Sequence, residues 1–167
     1  VPVLDVERCP LHYTVTGRGP AVLFVQGVGV HGGGWAPQIE ALADTHTCIA
    51  FDHRGIGRSR PRGSPITVER LARDALAVLD AAASPSAGAH VVGHSLGGQV
   101  ALQLALLAPA RVRSLALLCT FADGRRAARG AGMAWLGLRT RLGTARMRRR
   151  AFLALLLAPA AHRRAGR

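Results

Sequence analysis

The stretch Val91-Val92-Gly93-His94-Ser95-Leu96-Gly97-Gly98 runs from an apolar segment through a serine set among glycines, then opens into the long apolar run Gln99 to Leu107. It reads as strand, sharp turn and helix. Gly93-His94-Ser95-Leu96-Gly97 fits G-x-S-x-G, the pattern of a nucleophile elbow, in which a serine takes a strained backbone conformation that lifts its hydroxyl clear of the sheet. A side chain at position 93 or 97 would collide where the strand doubles back into the helix, so glycine is required at both. The helix also aims its unpaired N–H groups at the serine, placing a positive end where negative charge would develop.

Working outward, Ala21 to Val25 is a continuous apolar run, as expected of a strand buried on both faces; Thr47 to Phe51 and Val112 to Cys119 also read as buried strands, and Ala89 to Gly93 as the central strand. Val3 to Glu7 and Leu11 to Thr16 alternate instead and read as an antiparallel edge pair, closed by Gly17-Arg18-Gly19-Pro20. Helices are expected over 37–43, from a Thr67 cap through Ala83, and from the serine turn to Pro109. In the second of these, Val68, Leu71, Ala75, Leu76, Leu79 and Ala82 share one face. Strands alternating with helices predict an α/β fold, a mostly parallel sheet with helices on both faces and its sites at the carboxyl ends of the strands. Glycine-rich turns after Val25, after Phe51 and at Ser95 all leave strands at that end, and are expected to converge on one pocket.

A length of 167 residues suits one domain with a closed core, but the charge is distributed unevenly. All 22 basic residues are arginine; residues 1–123 have a net charge of +1, whereas 124–167 carry twelve arginines and no acid. Cys9, Cys48 and Cys119 lack metal-type spacing and read as small core residues in a reducing compartment, with no metal or other cofactor expected. No charged-then-apolar leader opens the chain, and the apolar run from Phe152 to Ala158 is too short to span a bilayer. The expectation is a cytoplasmic protein without a membrane partner.

Four segments in order then carry a likeness: the apolar strand with Gln26-Gly27-Val28-Gly29, Trp35, the turn Asp52-x-Arg54-Gly55-x-Gly57-x-Ser59, and the Gly93 to Gly98 elbow. The chain resembles the N-terminal part of an α/β-hydrolase of the cofactor-free esterase, lactonase and haloperoxidase-like group. The resemblance implies Ser95 as nucleophile and the backbone N–H groups of Val28 and Leu96 as oxyanion donors. Gln26, Gly27, Trp35 and His94 are expected to line the substrate pocket. Gln26 departs from the histidine common in relatives, yet an amide can still hold the loop. His31 and His53 sit in the glycine-rich turns, where a plain loop role outweighs contact with substrate.

The family's chain order is serine, acid, histidine, and after Ser95 the only acid is Asp123 and the only histidine His162. Asp123 is the candidate acid. His162 stands beside Arg163 and Arg164, whose charge would disfavour an imidazolium, and reads as a solvated tail residue. The expectation is therefore an α/β-hydrolase core over 1–122 and an arginine-rich, helical, cap-like segment over 123–167. It includes truncation after the sixth strand, little or no activity in this chain, and self-association. The function expected is hydrolysis of a small-molecule ester or lactone through a Ser95 acyl-enzyme. The second reading is a catalytically dead relative serving as an interaction or basic-surface module. With no nucleic-acid motif beside the arginines, a cap is favoured over a nucleic-acid surface.

Overall fold

The computed structural model describes residues 1–60, 66–84, 86–122, 144, 146 and 147. The chain divides into two compact units, Val1–Ala122 and Asp123–Arg167, and the described fold is that of the first.

Strands β1 (Val3–Val6), β2 (Cys9–Thr16), β3 (Ala21–Val25), β4 (Thr47–Phe51), β5 (Ala89–His94) and β6 (Val112–Leu118) form one sheet in the order β1-β2-β4-β3-β5-β6. β1 pairs antiparallel with β2, and β2 antiparallel with β4; the other pairings are parallel. Helix α1 (Ala36–Leu42) follows a single 3₁₀ turn at Gly32–Trp35, α2 (Val68–Ala82) lies between β4 and β5, and α3 (Leu96–Leu107) between β5 and β6. The expected α/β architecture is the one observed.

The period of two along each strand assigns its residues to the two faces. Ala21, Leu23 and Val25 of β3, with Ile49 and Phe51 of β4, pack into the core built with α2 and α3. Val22, Phe24, Cys48 and Ala50 face the other way, toward Trp35, Ile39 and Leu42. All five residues of β3 are buried, which is what a continuous apolar run in a central strand requires. Thr67 caps α2 by accepting the Arg70 N–H at 3.2 Å. The buried face of α2 is Leu71, Ala72, Asp74, Ala75, Val78 and Leu79, so the expected stripe is turned slightly and Val68, Leu76 and Ala82 are only half-buried.

Two expectations are corrected. β6 is not a buried strand: only Val112 and Leu115 are half-buried, and its other residues are exposed. It is apolar from Leu115 to Leu118, but among the described residues it pairs with β5 alone, at the end of the sheet. Leu117, Leu118 and Phe121 are left 40 to 45% exposed, and Leu106 on α3 78%. Cys119 is exposed, whereas Cys9 and Cys48 are buried as read. Among the described residues no helix is long and apolar enough to cross a membrane.

Candidate active site

β3, β4 and β5 run parallel, so the segments after Val25, Phe51 and His94 all emerge at one edge. Ser95 occupies the single residue between β5 and α3, with φ 54° and ψ −119°. That is a left-handed φ which a non-glycine residue adopts only under constraint. The sharpness of the bend explains its glycines. A Cβ on Gly93 would lie 2.5 Å from the Gly97 carbonyl oxygen, and one on Gly97 would overlap the Val25 carbonyl. The Ser95 side chain forms no capping bond to α3. Its backbone is held instead: Ser95 N–H donates to the Leu118 carbonyl at 2.9 Å, and its own carbonyl accepts from Gly98 N–H at 3.0 Å and from the Thr120 hydroxyl at 2.7 Å.

The loop after β3 comes up against this turn. A Cβ placed on Gly27 would meet the Ser95 Cβ at 3.2 Å and His94 Nδ1 at 3.1 Å, so the two loops approach closely and a larger side chain there would push on the serine turn. Val28 follows at the tip of a turn closed by the Val30 N–H on the Gly27 carbonyl at 3.4 Å; Gly29 takes φ +76° and Val28 is 63% exposed. Leu96 is the first residue of α3, where helix geometry leaves the amide without an intrahelical acceptor.

The turn after β4 fixes the loop after β3. Gln26 donates from Nε2 to the Phe51 carbonyl at 2.7 Å, and the Gln26 carbonyl in turn accepts from His53 Nε2 at 3.1 Å. A carbonyl only accepts, so His53 carries its proton on Nε2. The His53 ring meets Phe51 edge-on at 5.1 Å and is buried; that burial pushes its pKa down to about 4, against the weaker opposing pull of the Gln26 bond and the Asp52 charge. Asp52 accepts from Gly32 N–H at 2.8 Å and Arg58 N–H at 3.0 Å. Arg54 is wholly buried and makes a bidentate pair with Asp74 of α2 at 2.5 Å. Ser59 accepts the His12 N–H at 2.9 Å. This turn is a brace. Asp74 carries no signal in the sequence, because an acid on the apolar face of a helix is legible only once its partner is in place.

Gln26, Gly27, Trp35 and His94 line one cavity of about 340 Å³ together with Val30, Gly34, Gln38 and Leu118. The three turns do not share it. Asp52, Gly57 and Arg58 border a second cavity, of about 620 Å³, between β2 and α1, where His31 also lies. The His31 side chain accepts the Gly33 N–H at 3.1 Å and so caps the 3₁₀ turn. Asp123 and His162 lie outside the described residues, as do the others of 123–167 apart from 144, 146 and 147, so the expected cap-like segment falls outside them. Among the described residues, no group of three or more His, Cys, Asp or Glu side chains is placed to hold a metal.

Residues 20–163 match the model of the alpha/beta hydrolase fold family. The chain belongs to that family. Its alpha/beta hydrolase sequence is 46% identical over 108 residues to a protein assigned as a carbamate hydrolase, RutD, from Azorhizobium caulinodans, covering 65% of this chain and 40% of that one. It is 41% identical over 109 residues to a pimeloyl-[acyl-carrier protein] methyl ester esterase from Methylococcus capsulatus, with the same coverages. The chain thus spans about two fifths of the length of these curated relatives. Among solved structures, Est816, described as an N-acyl homoserine lactone degrading enzyme, superposes with a TM-score of 0.68 at 30% identity, covering 96% of this chain and 64% of its own. A hydrolase from Pseudomonas aeruginosa superposes with a TM-score of 0.70 at 31% identity, covering 84% and 51%.

Proposed function

We propose that this chain is the nucleophile-bearing part of a serine hydrolase that cleaves a small-molecule ester or lactone. The observation that carries the reading is the conformation of Ser95: a costly left-handed φ at the end of β5, its hydroxyl left out of capping α3, and its neighbours Gly27 and His94 lining a cavity of about 340 Å³. A volume of that order suits a small ligand. A carbamate hydrolase, a methyl ester esterase and an N-acyl homoserine lactone degrading enzyme among its relatives support acyl substrates.

In the proposed reaction Ser95 Oγ attacks the acyl carbon, the carbonyl oxygen becomes an oxyanion, and the alcohol portion leaves to give an acyl-serine that water then hydrolyses. The amides of Leu96 and Val28 take the oxyanion; one such donor is worth ~3 kcal/mol in comparable sites. Gln26 and His53 hold the loop that bears Val28. Gln26, Trp35 and His94 contact the substrate. The proton of Ser95 needs a base. Four of the six described histidines are engaged elsewhere: His53 on the Gln26 carbonyl, His90 on Ser114, His46 on Thr45 and His31 on Gly33. All six, His12 and His94 included, precede Ser95 in the chain, whereas the family's catalytic histidine follows the nucleophile. We therefore expect slow turnover or none from the 167-residue chain alone, with Asp123 as candidate acid.

A fluorophosphonate probe should label the purified chain slowly and at Ser95 alone, with labelling lost in Ser95→Ala. Labelling that survives the substitution, or none after prolonged exposure, would overturn the nucleophile assignment. Rapid p-nitrophenyl ester turnover that Ser95→Ala abolishes would instead overturn the expectation of low activity.

A further inference from the structure

The return of the chain from β6 touches the serine turn three times. Leu118 accepts the Ser95 N–H at 2.9 Å, Thr120 donates its hydroxyl to the Ser95 carbonyl at 2.7 Å, and the same side chain packs on the first turn of α3, where any Cβ on Gly98 would run into it. Cys119, between the two, takes φ +49°, and this left-handed step brings Thr120 back over the turn instead of continuing the strand. A short polar side chain thus reaches a carbonyl 25 residues away, that of Ser95, itself a non-glycine residue at positive φ.

The peptide between Ser95 and Leu96 is planar and trans, so its C=O and N–H point in opposite directions. Whatever holds the Ser95 carbonyl therefore aims the Leu96 N–H. The Gly98 amide is one holder, but it belongs to the same helical turn and moves with it. Thr120 ties the plane to the end of β6, which is outside that turn. With the Ser95 N–H fixed to Leu118, both peptide planes flanking Ser95 are referred to one strand, which sets φ and ψ together.

We propose that Thr120 is a positioning residue: by donating to the Ser95 carbonyl it locks the 95–96 peptide so that the Leu96 N–H faces the oxyanion. The catalytic consequence rests on the reading of Ser95 as nucleophile; the backbone consequence does not. Thr120→Val keeps the shape and removes the donor, whereas Thr120→Ser keeps the donor and loses a methyl group.

The test measures three things on the full chain carrying each substitution: the melting temperature, the fluorophosphonate labelling rate at Ser95, and amide exchange and chemical shifts of Ser95 and Leu96 by NMR. Thr120→Val should slow labelling by about 10- to 100-fold, the scale of a misaimed catalytic group. It should also speed Leu96 amide exchange by about 10-fold or more, as expected where a local restraint is lost without global unfolding. Thr120→Ser should restore both to within about 3-fold of the original chain, a recovery that loss of packing alone would not give. Labelling by Thr120→Val at the original rate, or Thr120→Ser as slow as Thr120→Val, would overturn the proposal. If the unsubstituted chain fails to label, the nucleophile reading fails and the backbone arm decides: unchanged shifts and exchange at Leu96 in Thr120→Val would end the positioning role as well.

Discussion

Two glycine-rich turns leave the same edge of the sheet, and they use their polar side chains in opposite ways. In the turn after β4, Asp52, Arg54 and Ser59 all bond to the protein itself: to the amides of Gly32 and Arg58, to Asp74, and to the amide of His12. In the turn after β5, the backbone of Ser95 is restrained by Leu118, Gly98 and Thr120, while its hydroxyl makes no capping bond. The first turn puts its side chains into holding the fold. The second is held through its main chain and leaves the serine hydroxyl out of the helix cap. A motif dense in chemically capable residues is thus not by itself a site; what the polar atoms already touch decides.

The comparison breaks most readily at Arg54. Its guanidinium is wholly buried on the Asp74 carboxylate, and removing one member of such a pair strands an uncompensated charge in the interior. Asp74→Ala should lower the free energy of unfolding by about 3–5 kcal/mol, measured by urea denaturation. The double variant Arg54→Met with Asp74→Leu should recover most of that loss, because desolvating two charges costs nearly as much as their attraction returns. A brace made only by hydrophobic contact would show neither the deep loss nor the recovery.

His53 sharpens the comparison through pH. Its folded pKa of about 4 lies below the ordinary 6.5, so between those values the unfolded chain binds more protons than the folded one. Stability is therefore intact above pH 6.5 and falls as the pH drops toward 4, by up to about 3 kcal/mol. His53→Gln keeps a donor for the Gln26 carbonyl and does not titrate, so its stability should change less across that window. An equal slope in both proteins would show that other groups carry the acid sensitivity.

Most of the sheet was legible because burial leaves its mark in the pattern of residues. Five apolar residues in a row at Ala21–Val25, and four after Thr47 in Thr47–Phe51, fit a strand covered on both faces, and both appear with those bounds. β6 shows the limit of that reasoning. Its apolar residues declare a tendency to be buried, but whether a face is covered depends on neighbours that a strand's own sequence does not encode. The glycines of the Ser95 turn were legible because sterics at a tight reversal admit nothing else. Thr120 was not: a threonine just past a strand is ordinary, and only the left-handed step at Cys119 turns it onto Ser95. Asp52 and Arg54 were noticed for their likeness to a family turn, while their structural partners, Gly32 and Asp74, come from segments 20 residues away.

The smallest expected effects test the contrast between the two serines directly. Ser59 is wholly buried and its hydroxyl accepts the His12 amide, so Ser59→Ala leaves that donor without its acceptor and should cost about 1–3 kcal/mol. Ser95 sits at φ 54°, where a non-glycine residue pays roughly 1–3 kcal/mol of strain that glycine avoids. Glycine also enlarges the conformational freedom of the unfolded chain, which takes back about 0.4–1 kcal/mol. The net for Ser95→Gly is a gain of up to about 2.5 kcal/mol, opposite in sign to Ser59→Ala. Urea unfolding of the two variants beside the parent chain reads the signs. Destabilisation by Ser95→Gly comparable to that of Ser59→Ala would mean that the Ser95 hydroxyl, like that of Ser59, is spent on holding the fold.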